Sequence, residues 1–386
     1  MKRLLQLIIL ILLINSLSAQ NNTDYVIGKK TTLYSEILGE SRSFNIYLPE
    51  SYKNSTQKYP LLITLDGYFL STTGIIEYLA YSGNIPEMIL VSINNTDRDR
   101  DFTPTNSKNI EGEYIPSSGG AKNFLNFIER ELLTYLDSNY RIQPFRIIAG
   151  HSLGGLFVTY AMLEKPELFQ SYYAASPTLP WDNEWILDYS KMKIQKKYPR
   201  NLFFQLITDN QSGIMKTSAQ KITHLLKLEA PENFQLMYKQ YVNEDHISCF
   251  LIGFYDALRY LYSDYKISDT LITTGNSKGI EIHYNKLSEK YGYEIIPSWN
   301  WLDWIANWHL LMERYEISLS LYMLALNYYP EFPIAYRRVG YLYEKMIDKA
   351  SAIEYYSKAA KFYKDDADKN EVLNLIEDLK INFKGN

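Results

Sequence analysis

Three observations predict an α/β fold with a mostly parallel central sheet, followed by a separate all-α region. Short β-rich runs alternate with helical stretches from about Tyr25 to about Tyr265. Several of those runs are continuously apolar, as strands buried on both faces of a parallel sheet must be. From about Ser298 the strand signals stop, and only helix-period patterns remain.

The chain opens with Met1-Lys2-Arg3, an apolar run from Leu4 to Ile14 and the small-residue stretch Ser16-Leu17-Ser18-Ala19. This is the order of a secretory leader, so residues 1–19 are expected to be cleaved and the protein to be periplasmic or secreted. The apolar run falls short of the roughly 20 residues that span a bilayer. No second long apolar stretch follows, so no membrane span is expected once the leader is removed.

Val26–Ile37 and Ser43–Leu48 have no helix between them and read as an antiparallel start to the sheet. Leu61–Leu65, Met88–Ile93, Arg146–Ala149, Ser171–Ala175, Leu202–Thr208 and Phe234–Tyr241 read as the remaining strands. Helices are predicted over Ala121–Leu136, Leu153–Leu163, Lys216–Leu228 and Cys249–Leu261. Alternation of this kind belongs to α/β domains. The domain is expected over residues 20–265, with a connector at 266–297 and a helical region at 298–386.

Within the helical region, Ser298–Pro330 and Phe332–Lys364 match at an offset of 34 residues. Ile305 maps to Val339, Ala306 to Gly340, His309 to Tyr343, Ser318 to Ala352, Tyr322 to Tyr356 and Ala325 to Ala359. Small residues recur where helices touch and aromatics recur where they fill grooves, a tetratricopeptide-like pattern of helix pairs. Two such repeats are too few to stand alone, so they are expected to lean on the first domain or on a helix near Asn370–Ile381. A peptide or protein partner is one expectation for them, and capping of the substrate cleft is another.

Composition narrows the function classes. A net charge of −4 and the absence of a basic run argue against nucleic acid. Cys249 is the only cysteine, so an exported chain of this kind has no disulfide framework and must rely on packing.

The chemistry points to Gly150-His151-Ser152-Leu153-Gly154-Gly155, between the strand ending at Ala149 and the helix starting at Leu153. A serine on a tight strand-to-helix turn needs glycine two before and two after it, where side chains would clash. Ser152 is therefore the candidate nucleophile. Among five histidines, His151 adjoins the serine and is expected to project elsewhere. His224 lies in a helix, His283 in the connector and His309 among the repeats. His246 follows a core strand, where parallel sheets place their sites, and comes after the serine as the order Ser…Asp/Glu…His requires. Asp209, at the end of Leu202–Thr208, is the candidate acid, with Glu244 and Asp245 competing. Backbone N–H groups of Leu153 and of Tyr68, in Asp66-Gly67-Tyr68, are the candidate oxyanion donors.

Tyr47-Leu48-Pro49, Leu65-Asp66-Gly67, the segment Asp97–Thr105, the serine turn and Glu244-Asp245-His246 together resemble the putative-esterase family. That family includes enterochelin (siderophore) esterases and esterase D-like enzymes. The resemblance covers about Tyr25 to Tyr265 and implies an α/β-hydrolase fold and a serine carboxylic-ester hydrolase. It also implies that Arg98 or Arg100 meets the substrate, or alternatively that Arg100 and Asp101 pin their loop. A small-molecule ester, of a siderophore or of a sugar, is the implied substrate, and no metal or organic cofactor is implied. Acyl transfer on the same scaffold is one alternative, and a binding protein built on a relic hydrolase domain is another.

Overall fold

The computed structural model describes residues 26–381 apart from 54, 110, 111 and 211, so the expected leader lies outside the described residues. In chain order the first part comprises β1 (Lys29–Ser35), β2 (Glu40–Tyr47), β3 (Tyr59–Thr64), α1 (Phe69–Tyr81), β4 (Ile89–Ile93) and α2 (Arg98–Phe102). Next come α3 (Ala121–Phe127), a π-helical turn (Ile128–Leu132), α4 (Leu133–Asn139), β5 (Ile142–His151) and α5 (Leu153–Glu164). β6 (Ser171–Ala175), α6 (Trp181–Lys193), β7 (Leu202–Thr208), α7 (Ile214–Glu229), β8 (Phe234–Gln240) and α8 (Cys249–Leu261) complete the α/β part.

The eight strands form one sheet in the order β1-β2-β4-β3-β5-β6-β7-β8. β1 and β2 pair antiparallel, β2 joins β4 antiparallel, and every later pairing is parallel. Every residue of β3, β4, β6 and β7 is buried, which is why these runs are mostly apolar rather than alternating. β1, at one edge, alternates between exposed and half-buried positions instead. α5 is buried on all sides from Gly154 to Leu163, so it shows no polar face.

Among the helices absent from the sequence-based expectation are α1, α2 and α6. α1 carries two threonines, two isoleucines and a glycine, weak helix formers that hide its period. α6 opens on Asp182, Asn183 and Glu184, all with positive φ, which breaks its pattern at the start.

The expected connector is not a linker. It holds α9 (Asp269–Thr274) and α10 (Ser277–Tyr291), whose Tyr284 and Tyr291 are buried. Beyond it lie α11 (Trp299–Leu311), α12 (Tyr315–Tyr328), α13 (Pro333–Lys345), α14 (Lys349–Phe362) and α15 (Asp366–Ile381). α11 and α13 start 34 residues apart, as do α12 and α14. The small residues sit where helices cross: a side chain on Gly340 would come within 2.7 Å of the Tyr356 ring. In the first pair the Ser318 hydroxyl instead donates to the Ala306 carbonyl at 2.8 Å.

One apolar core runs from a sheet face (Leu62, Leu90) through Tyr262 and Tyr284 to Trp299, Leu302 and Tyr322. Trp301 lies against Gly83, where an added Cβ would sit 2.5 Å from the indole. Trp299 and Trp301 are packed, Trp308 is half-buried, and Trp304 stays 56% exposed.

Candidate active site

β5 delivers Ser152 at the carboxyl end of the sheet. Its backbone stands at φ 57°, ψ −116°, a conformation that costs a non-glycine residue about 1–3 kcal/mol. The Ser152 N–H donates to the Ala175 carbonyl at 2.9 Å, and the Ser152 carbonyl accepts from Leu156 and Thr178, so the turn is held from three directions. The glycines make the room. A Cβ on Gly150 would meet the Gly154 carbonyl at 2.3 Å, one on Gly154 would meet Asp66 Oδ2 at 2.7 Å, and one on Gly155 would meet Pro177 at 3.0 Å.

The Asp66-Gly67-Tyr68 turn reaches the head of α5 because Asp66 and Gly67 both take positive φ, 64° and 71°. Leu153 is the first residue of α5, so its N–H has no acceptor within the helix. Tyr68 takes the N-cap position of α1. Arg98 ties the two together: Nε donates to Asp66 Oδ1 at 2.6 Å and Nη2 to the His151 carbonyl at 3.1 Å. Arg100 instead pairs with Glu40 at 2.6 Å and Asp101 at 2.8 Å, and Arg42 closes the same cluster on Asp101. Both expected substrate-facing arginines are thus engaged in anchoring their segment.

His246 lies in the loop between β8 and α8, with Nδ1 3.1 Å from Asp209 Oδ2. Asp209 is 1% exposed, and its N–H donates to the Ser176 hydroxyl at 3.1 Å. A ring whose Nδ1–H is given to a carboxylate keeps its lone pair on Nε2. Asp245 points elsewhere, accepting from the N–H groups of Ile247 and Ser248 at 2.9 and 2.7 Å. Those bonds hold its carboxyl below the usual range. Glu244 offers its backbone carbonyl to the Asn210 N–H.

Three residues at the site escape sequence reasoning. His151 does not project away from the site: Nε2 lies 2.5 Å from the His246 carbonyl and Nδ1 3.2 Å from the Tyr68 hydroxyl. Burial, with the neighbouring His246 adding to it, pushes the His151 pKa down to about 4. Thr178 places its hydroxyl 3.3 Å from Ser152 Oγ, and Ser176 links Asp209 to Cys249 Sγ at 3.1 Å. The last two follow β6 directly, and that strand-end position was the available signal. Burial raises the Cys249 thiol to about 11, so it stays protonated. His283 and His309 serve packing, each through its Nε2, which meets the backbone carbonyl of Tyr265 at 3.1 Å and of Ile272 at 3.0 Å respectively.

The chain is similar to known proteins. A family described as "Putative esterase" matches residues 35–217. Ferri-bacillibactin esterase BesA of Bacillus subtilis is 28% identical over 247 residues, covering 57% of this chain and 85% of the relative. The crystal structure of an IroE-like serine hydrolase from Shewanella oneidensis superposes with a TM-score of 0.69 at 29% identity, covering 77% of this chain and 98% of that one. An uncharacterised protein of Capnocytophaga ochracea shares the fold over 92% of this chain and 99% of its own, with a TM-score of 0.59 at 20% identity.

Proposed function

Given that the α/β domain of this chain belongs to the Putative esterase family, of the enterochelin-esterase-like type, and that the chain is a carboxylic-ester hydrolase, we propose a Ser152–His246–Asp209 triad acting through an acyl-enzyme. The observation that carries this reading is the strained Ser152 backbone at the head of α5, which exposes the hydroxyl beside a helix N-terminus. His246 Nε2 takes the Ser152 proton as Oγ attacks the ester carbonyl. The N–H groups of Leu153 and Tyr68 meet the oxyanion. Collapse expels the alcohol with the proton from His246. Water, deprotonated by His246, then attacks the acyl-enzyme and releases the carboxylic acid and free Ser152. Asp209 holds the ring and stabilises its charged form.

The substrate class we favour is a siderophore ester, supported by the likeness to ferri-bacillibactin esterase. The leader-like residues 1–19 support an exported enzyme. The 34-residue offset of the helix pairs supports a tetratricopeptide-type extension. A panel of siderophore esters, acylated sugars and aryl esters tests the substrate class, with Ser152→Ala as control. Siderophore esters are expected to give the highest kcat/KM, and preference for a sugar ester would overturn that class.

A further inference from the structure

We propose that His151 is a positioning residue that locks the loop bearing His246 to the serine turn, an assignment that rests on the Ser152–His246 mechanism above. His151 is 5% exposed and directly precedes the nucleophile. Its own backbone is fixed by pairing with Ala175 across β5 and β6. A carbonyl only accepts, so the 2.5 Å contact to the His246 oxygen puts the His151 proton on Nε2. Nδ1 is then an acceptor, and the Tyr68 hydroxyl at 3.2 Å donates to it. One imidazole therefore spans the serine turn, the Tyr68 turn and the histidine loop. The two histidine rings also touch, with centroids 4.5 Å apart.

Backbone bonds hold the histidine loop at Glu244 and Asp245, and the His151 contact adds a tie at His246 itself. Val242 and Ile247 are 59% and 71% exposed, and the His246 side chain is itself 38% exposed, so burial does little to fix the ring. The His246 carbonyl also accepts from Cys249 Sγ, but at 3.4 Å and from a weak donor. A neutral His151 has a second benefit: it places no positive charge beside the imidazolium that His246 becomes during attack. Burial keeps it neutral.

Glutamine carries its amide nitrogen about where Nε2 stands, and asparagine about where Nδ1 stands. His151→Gln therefore keeps the donor to the His246 carbonyl, while His151→Asn and His151→Leu lose it. The experiment measures kcat and KM for an aryl ester, the rate of Ser152 labelling by a fluorophosphonate, and Tm, with Ser152→Ala and His246→Ala alongside. We expect the Asn and Leu variants to lose on the order of 10- to 100-fold in kcat and labelling rate, as small misplacements do. KM should stay within about threefold, and Gln should recover most of the loss. A merely structural role would lower Tm for all three and leave Gln no better than Asn, which would overturn the proposal. Full kcat in the Asn variant would do the same, and the Asn–Gln pair decides the matter if the Leu variant does not fold. Turnover that survives Ser152→Ala and His246→Ala would instead remove the mechanism on which the positioning role rests.

Discussion

Asp209 is buried with its carboxylate 3.1 Å from His246 Nδ1, whereas Asp245 is exposed and bonded to the backbone at the start of its own turn. Both carboxylates are close to the histidine in sequence or space, and burial and direction separate them. Asp209→Asn removes the acceptor that fixes the tautomer of His246, and kcat should fall on the order of 10³-fold or more. Asp245→Asn should leave kcat within about threefold and Tm nearly unchanged, because an asparagine oxygen can accept the same two backbone bonds. Steady-state kinetics and melting of the two variants check this, and the reverse order in kcat would move the acid role to Asp245. The sequence points to Asp209 because a strand end in a parallel sheet faces the site. It does not reveal His151 as a neighbour of His246, because nothing local says which way a ring leaves so tight a turn.

At the level of the element, the strand–serine–helix unit depends on glycines that give way to other elements rather than only on its own bend. Gly154 lies against Asp66, whose carboxylate is already held by Arg98 and Asn95 and cannot retreat freely. Gly154→Ala should therefore push the Tyr68 turn off the head of α5, costing about 1–3 kcal/mol of stability by overpacking. Activity should fall more steeply than stability, since the oxyanion donors separate. Measured kcat equal to wild type in a folded Gly154→Ala protein would show that the turn adapts. The pairing of spacing with chemistry was legible here, as were β6, β7 and α8 to the residue. Illegible were α1 and α6, whose β-branched residues and left-handed start conceal a helical period that tertiary packing enforces.

For the molecule as a whole, the helical region and the sheet share an apolar core rather than meeting at a wet joint. Tyr262, Tyr265, Tyr284 and Trp299 belong to the same packed cluster as Leu62 and Leu90. Removing everything after Tyr265 deletes none of the proposed triad, yet it uncovers the face on which Tyr284, Trp299 and Trp301 rest. The truncated protein should keep the serine turn but aggregate more readily, as large exposed apolar patches do. Its soluble fraction should still hydrolyse a small aryl ester. Light scattering and specific activity of that fraction check both halves. Complete loss of activity in a soluble, folded truncation would mean that the helices shape the site. The change from strands to helices was plain from sequence. The role of the segment 266–297 was not, because its tyrosines are buried by contacts distant in the chain.

Covalent trapping at Ser152 tests the central claim most directly. The protein is treated with a fluorophosphonate and digested, and the modified residue is located by mass spectrometry while ester turnover is followed in parallel. The account predicts one adduct, on Ser152, appearing in step with the loss of turnover, and neither adduct nor turnover in Ser152→Ala. An adduct on another residue, or ester turnover that persists in Ser152→Ala, would contradict it.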